Sequence, residues 1–277
     1  MPHLLWLAFA GVITLLPLVS YALDGKLLAT PVVTQFEGAG GGGLVPFATL
    51  AGYASRDDIA VNSFLTRLDV NDFSLNSYGA SINWFDRLET SVADQKLHVR
   101  HLQADIRQRV YGLKARLYGD LVYSAWPQVS VGAQFKHLQD LTIARAVGAA
   151  ETHGVDYYVA VTRLHLAAVN GYNLLWNLGA RMTAAHQTGF LGFDNQRRLQ
   201  FEGAVAVLLG RHIAIGAEYR SKPDNLAFAQ EDDWQDLFIA WFPNKTVNLT
   251  LAWVDLGDVA GQTNQQGLYL STTVYLR

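Results

Sequence analysis

Cysteine is absent from this 277-residue chain, which excludes disulfides, thiol nucleophiles, cysteine-ligated zinc and iron–sulfur clusters. Charge is scarce: 16% of residues are Asp, Glu, Lys or Arg, against about 25% in ordinary soluble domains. The formal net charge of −3 gives no reason to expect nucleic acid as a partner. Beyond the first nineteen residues no stretch approaches the roughly 20 apolar residues of a membrane-spanning helix. Yet half of the chain is hydrophobic and 12% is aromatic.

The N-terminus gives that apolar surplus a destination. Leu4 to Val19 is an apolar run broken by Gly11, Thr14 and Pro17, followed by Ser20-Tyr21-Ala22 and then polar Asp24, Gly25 and Lys26. This is the anatomy of a secretory signal peptide, residues 1–22, cleaved after Ala22, although Met1-Pro2-His3 lacks the usual cation. The alternative is a short membrane anchor, which Pro17 and the brevity of the run disfavour. The mature chain, residues 23–277, is then an exported domain rich in apolar side chains and without a spanning helix. An outer-membrane β-barrel accommodates that combination.

Periodicity agrees. In Asn173–Ala184, Leu174, Trp176, Leu178, Ala180, Met182 and Ala184 alternate with Asn173, Leu175, Asn177, Gly179, Arg181 and Thr183. Successive side chains of a strand point to opposite faces, so one wall is apolar and the other wet. Comparable segments of about ten residues recur, the length a tilted strand needs to cross a bilayer. They are Val32–Gly38, Leu44–Ser55, Ala60–Asp69, Phe73–Asn83, Arg87–Val99, Ile106–Tyr118, Pro127–His137, Val155–Ala168, Asn173–Ala184, Leu199–Leu209, His212–Arg220, Trp234–Phe242, Val247–Asp255 and Gly267–Leu276. The expectation is an all-β, closed antiparallel transmembrane barrel of about fourteen strands. If Val32–Gly38 tucks inside or stays periplasmic, and a second segment is misread, about twelve remain.

Short connections at residues 56–59, 84–86, 119–126, 169–172, 210–211 and 243–246 alternate with longer ones at 100–105, 139–154, 186–198, 221–233 and 256–266. The one lapse is at 70–72. Bacterial barrels have short periplasmic turns and longer external loops. Trp84, Phe85, Trp126, Tyr172, Trp241 and Phe242 gather beside the short turns, as an interfacial aromatic girdle would. A change of face within Val155–Ala168 predicts a bulge near Thr162.

Several stretches resemble one family: Gly25-Lys26-Leu27-Leu28-Ala29-Thr30, Glu37 to Pro46 with its glycine run, Asp72-Phe73-Ser74-Leu75-Asn76-Ser77-Tyr78-Gly79, Gly216-Ala217-Glu218-Tyr219-Arg220, Lys222-Pro223-Asp224-Asn225-Leu226, Glu231-Asp232-Asp233-Trp234 and Phe242-Pro243-Asn244-Lys245. The chain is similar to a proteobacterial family catalogued as domain of unknown function 3034. The resemblance covers nearly all of the mature chain. It implies an outer-membrane β-barrel and carries no catalytic residues. The ending Tyr275-Leu276-Arg277 departs from the terminal aromatic common among such barrels.

The motifs point to no chemistry. Gly38, Gly40 and Gly43 satisfy G-x-G-x-x-G, but strand-like Leu44-Val45-Pro46-Phe47 follows instead of a helix, so a tight turn or backbone pressed against the wall is expected. His98 and His101, with Asp94 and Asp105, lack metal-ligand spacing. Ser130 and His212 have no third partner that would make a hydrolase. Asp224, Glu231, Asp232 and Asp233 form an acidic loop without EF-hand spacing. The chain is expected to be no enzyme and to hold no cofactor or metal.

The functional signal is charge on the inner face. A charge facing lipid costs about 2–4 kcal/mol at the bilayer midplane, which places Glu89, Lys114, Arg116, Lys136, Arg181, Glu202, Glu218, Arg220 and Asp236 along the lumen. Glycines 112, 132, 179 and 216 share that face. As pore-lining residues they would conduct small hydrophilic solutes or ions passively, with a mild anion preference set by Lys114, Arg116, Lys136 and Arg181. The alternative is a lumen plugged by salt bridges, in a closed barrel that serves structure or surface interaction. Either way the expected setting is the bacterial outer membrane, with lipid and lipopolysaccharide as surroundings.

Overall fold

The computed structural model describes residues 26–140, 142, 151–224, 229 and 231–276. The signal peptide and most of the 139–154 loop lie outside the described residues. Two short strands, β1 (Val33–Thr34) and β2 (Gly40–Gly41), pair with one another. The wall consists of β3 (Ile59–Val70), β4 (Phe73–Trp84), β5 (Leu88–Val99), β6 (Ala104–Tyr118), β7 (Gln128–Leu138), β8 (His153–Val169), β9 (Tyr172–Ala185), β10 (Phe193–Leu208), β11 (Ile213–Arg220), β12 (Trp234–Trp241), β13 (Val247–Asp255) and β14 (Gln266–Leu276). Each pairs antiparallel with the next, and β14 closes on β3 with Ser271 opposite Thr66. Full closure leaves no unpaired edge.

Twelve strands therefore form the wall, the alternative count and not fourteen. The two segments that fall out are Val32–Gly38 and Leu44–Ser55. Both lie inside the barrel, where residues 31–54 are buried without exception. The physical reason is visible in Leu44-Val45-Pro46-Phe47-Ala48-Thr49-Leu50-Ala51. This run is apolar on both faces, and Pro46 cannot donate to a central ladder.

Alternation governs the wall. On β9, Leu178 is 63% exposed while its neighbours Asn177 and Arg181 are buried inside. Phe201, Ile215, Leu237 and Leu251 lie on the same outer surface. The connections sort by rim: residues 85–87, 119–127, 170–171, 209–212 and 242–246 lie at one end, with the start of β3 and the end of β14. Residues 71–72, 100–103, 186–192 and 256–265, and the described residues of the links from β7 to β8 and from β11 to β12, lie at the other.

Two local expectations need correction. No register shift occurs at Thr162, which pairs Gln128 and Asn177 in continuous ladders; the shift on β8 falls between His165 and Val169. Leu164 is apolar yet inward, buried in the core at the rim, so the apparent change of face is an apolar residue on the inner wall. Phe242 is also buried, so it is a core residue and not part of the girdle. Phe85, Trp126, Tyr172 and Trp241 at that rim are exposed.

Candidate functional site

The lumen is the site, and it is filled by the chain's own N-terminal segment. Residue 26 stands at the rim of short connections, where Lys26 Nζ pairs with Asp86 at 2.7 Å. The segment rises to Phe36 and Glu37, turns through Gly38–Gly43 and descends to Tyr53, which packs edge-on against Tyr275. Tyr275 donates its hydroxyl to the Val32 carbonyl at 2.7 Å, fixing both legs of the hairpin to the last wall strand. The glycine run is the crowded tip. A Cβ on Gly42 would sit 1.4 Å from a Glu218 carboxylate oxygen, and one on Gly40 would sit 2.6 Å from the Ala51 nitrogen. These glycines let backbone press against the inner wall.

Polar wall residues satisfy the backbone of this plug, as a buried loop requires. Glu89 accepts from the Gly40 and Ala51 amides at 3.0 and 2.6 Å. Lys114, fully buried, donates to the Gly40 and Thr49 carbonyls at 2.7 and 2.8 Å and pairs with Glu89 at 3.2 Å. Glu218 accepts from Leu44 N at 2.6 Å, and its own amide donates to Asp236 at 3.1 Å. Gln128 and Ser130 both donate to the Ala48 carbonyl. Ser77 and Gln95 both donate to that of Phe36.

Near the tip a charged cluster joins plug and wall. Glu37 pairs with Lys136 and, at 2.9 Å, with Arg220. Lys136 also pairs with Asp156 at 2.8 Å. Arg181 meets Glu202 at 2.6 Å, Asp156 at 3.4 Å and Glu37 at 4.0 Å, and donates to Gln134. Three cations, Lys136, Arg181 and Arg220, thus face three carboxylates, Glu37, Asp156 and Glu202. The basic stripe that suggested anion preference is neutralised: Lys114 by Glu89 and Arg181 by Glu202, both expected on the inner face, and Lys136 by Glu37 and Asp156, which were not. Arg116 stands apart at the rim, held by Asp86, Asp120 and the Gly119 carbonyl.

A second segment enters from the opposite rim. Residues 186–192 fold inward and are buried, and Thr188 offers its carbonyl to Lys136 and Gln108 at 3.1 and 3.2 Å. Among the residues that sequence reading missed, Glu37, Asp156 and Thr188 matter most. Glu37 immediately precedes the glycine run, and Asp156 stands on the same face of its strand as Ala160. Nothing local announced that either would meet Lys136.

The remaining candidates are occupied elsewhere. Ser130 is bound to the plug, and His212 contacts the Phe242 carbonyl at the rim. His98 pairs with Asp105, and Asp94 with Arg109. In the acidic loop Glu231 pairs with Lys222 at 3.1 Å, Asp232 accepts from Asp258 N, and Asp233 accepts from Lys222 N. Burial pushes the Lys222 ammonium below its usual range and the Glu231 carboxyl above its own.

The chain matches the family described as "Protein of unknown function (DUF3034)" over residues 30–273. No curated protein matches it. Among solved structures, the NanC porin aligns with a TM-score of 0.50 at 11% identity, covering 79% of this chain and all of that one. The outer membrane protein Omp33 of Acinetobacter baumannii aligns at 0.44 with 9% identity, covering 79% of this chain and 97% of that one. The COG4313 outer membrane channel of Pseudomonas putida F1 aligns at 0.42 with 11% identity, covering 78% and 94%. The likeness is one of fold.

Proposed function

The chain belongs to the DUF3034 family of proteins of unknown function, and we propose that it is an outer-membrane β-barrel closed at rest by its own N-terminal segment. The observation that carries this reading is the unbroken burial of residues 31–54 within the wall. Residues 1–22 act as a removed signal peptide, the rim of short turns faces the periplasm, and the plug enters from that side. Lipid surrounds the outer face, with lipopolysaccharide around the rim of long loops. Passive movement of small hydrophilic solutes or ions requires the plug to withdraw. Withdrawal exposes Val33, Phe36, Leu44, Val45, Phe47 and Leu50, all buried. At about 1.5–3 kcal/mol each, this costs on the order of 10 kcal/mol, and each 1.4 kcal/mol is a factor of about ten in population. Spontaneous opening is therefore rare, and the closed structural or surface role is the resting one.

Planar-bilayer recording of the purified, processed chain tests this. The expected trace is silent at moderate voltage, and sustained ohmic steps from the unmodified chain would overturn the closed reading. The membrane setting has its own check. Leu178→Arg places a charge midway along β9 on the apolar outer face and should cost about 2–4 kcal/mol in urea titrations of folding into liposomes. A cost near zero would mean that this face meets water.

A further inference from the structure

The inner wall changes character above the plug. Over most of its height it is polar, but near the rim of long loops Leu68, Phe73, Leu97, Ile106, Phe190 and Val259 enclose a cavity of about 220 Å³. Wall strands β3 to β6 supply four of these side chains, and the inserted loops supply Phe190 and Val259. Because the wall contributes its inward face, acyl chains of a surrounding bilayer do not reach the cavity. A water-filled vestibule has no use for an apolar lining, and an apolar cavity is poorly wetted.

Three polar side chains break the lining: exposed His101, edge-on to Phe73, and the buried pair Gln187 and Trp234. Gln187 and Trp234 both border the cavity and are more than nine-tenths buried. Among the described residues, neither the Gln187 amide nitrogen and oxygen nor the Trp234 Nε1 has a hydrogen-bond partner. Buried polar groups are ordinarily satisfied, and an orphan costs about 1–3 kcal/mol. Gln187 and Thr188 also hold positive φ angles of 47° and 57°, a conformation that non-glycine residues adopt rarely and that gathers at ligand sites. The Trp234 ring is itself held in place by Arg220 and Lys222, 5.8 and 5.2 Å from its centroid.

We propose that this cavity binds a small, largely apolar molecule, a single substituted ring or its aliphatic equivalent, that carries one oxygen to accept a hydrogen bond from Trp234 or Gln187. The size fits: a cavity of roughly 150 Å³ takes benzene, so this one takes a ring with a short substituent. The apolar walls supply affinity and the two donors select for the oxygen, as in ordinary small-molecule sites. The site lies on the side of the plug away from the N-terminus, so it is filled from the rim of long loops without any movement of the plug. It does not depend on whether the barrel ever conducts.

The test uses the processed chain in nanodiscs and 4-ethylphenol as probe, with ethylbenzene as the comparison lacking oxygen. Calorimetric titration, corrected by empty nanodiscs, should show saturable binding of 4-ethylphenol. Leu97→Trp fills the cavity from the wall and Val259→Trp fills it from a loop; both should abolish binding while circular dichroism remains that of a barrel. Trp234→Phe should weaken 4-ethylphenol about tenfold and leave ethylbenzene unchanged. Absence of saturable binding, or binding that survives both filling variants, would overturn the site. Equal affinities for the two probes would overturn the assigned ligand class.

Discussion

Glu37→Lys is expected to unseat the plug and give the silent barrel a conductance. The native carboxylate sits between Lys136 and Arg220, with Arg181 at 4.0 Å, and every member of the cluster is buried. Removing one partner of such a network costs about 3–5 kcal/mol. Reversing its sign adds repulsion of about 4 kcal/mol per unit-charge pair at 4 Å in a protein-like medium. The smaller figure alone raises the open population roughly a hundredfold, and lost pairing together with repulsion from both Lys136 and Arg220 approaches the cost of withdrawal, on the order of 10 kcal/mol. The chain has no cysteine, so a single reporter can be introduced cleanly. Ala48→Cys, at a fully buried plug position, should resist a membrane-impermeant maleimide in the native background. It should react at least about a hundredfold faster beside Glu37→Lys, and bilayer steps should accompany the labelling. Unchanged labelling with a silent trace would show that the cluster does not hold the plug.

Arg181→Met should lower folding stability by about 3–5 kcal/mol, read from urea titrations in a fixed lipid composition. Its guanidinium serves Glu202, Asp156 and Gln134 at once and lies over the Tyr158 ring at 5.2 Å. Methionine keeps much of the volume but leaves Glu202, among the described residues, with Arg220 at 3.5 Å as its remaining ion-pair partner. Adding Glu202→Gln should therefore recover part of the loss, because an orphaned buried charge accounts for most of it. A single-variant cost below about 1 kcal/mol would indicate a solvated arginine and a wet lumen. The same comparison bears on transport, since a permanently paired Arg181 is unavailable to a passing anion.

The wall was legible because a barrel wall is a repeated local pattern. Leu178 outward and Asn177 and Arg181 inward follow from a two-residue period and the cost of a charge in lipid. The long and short loops followed from the same pattern. The plug was not legible as a plug. Val32–Gly38 and Leu44–Ser55 carry strand-forming residues, and a segment surrounded by protein has no single apolar face to reveal its place. The usable signal was Leu44 to Ala51, apolar on both faces beside a glycine run. Leu164 and Phe242 misled for a related reason, being apolar residues used on the inner side of the rim.

The sequence by itself determined that this chain is a β-barrel with an apolar outside and charged side chains on its inner face, because each of those features depends on near neighbours along one strand. Only the tertiary structure decided what the charges do. Lys136 finds Glu37 across 99 residues, and Arg220 finds the same carboxylate across 183. No local periodicity encodes such pairings, which exist only because the closed wall brings β7, β9 and β11 around one inserted hairpin. Whether the lumen is a passage or a filled core is a property of that enclosure, where a buried cation must have its partner within reach.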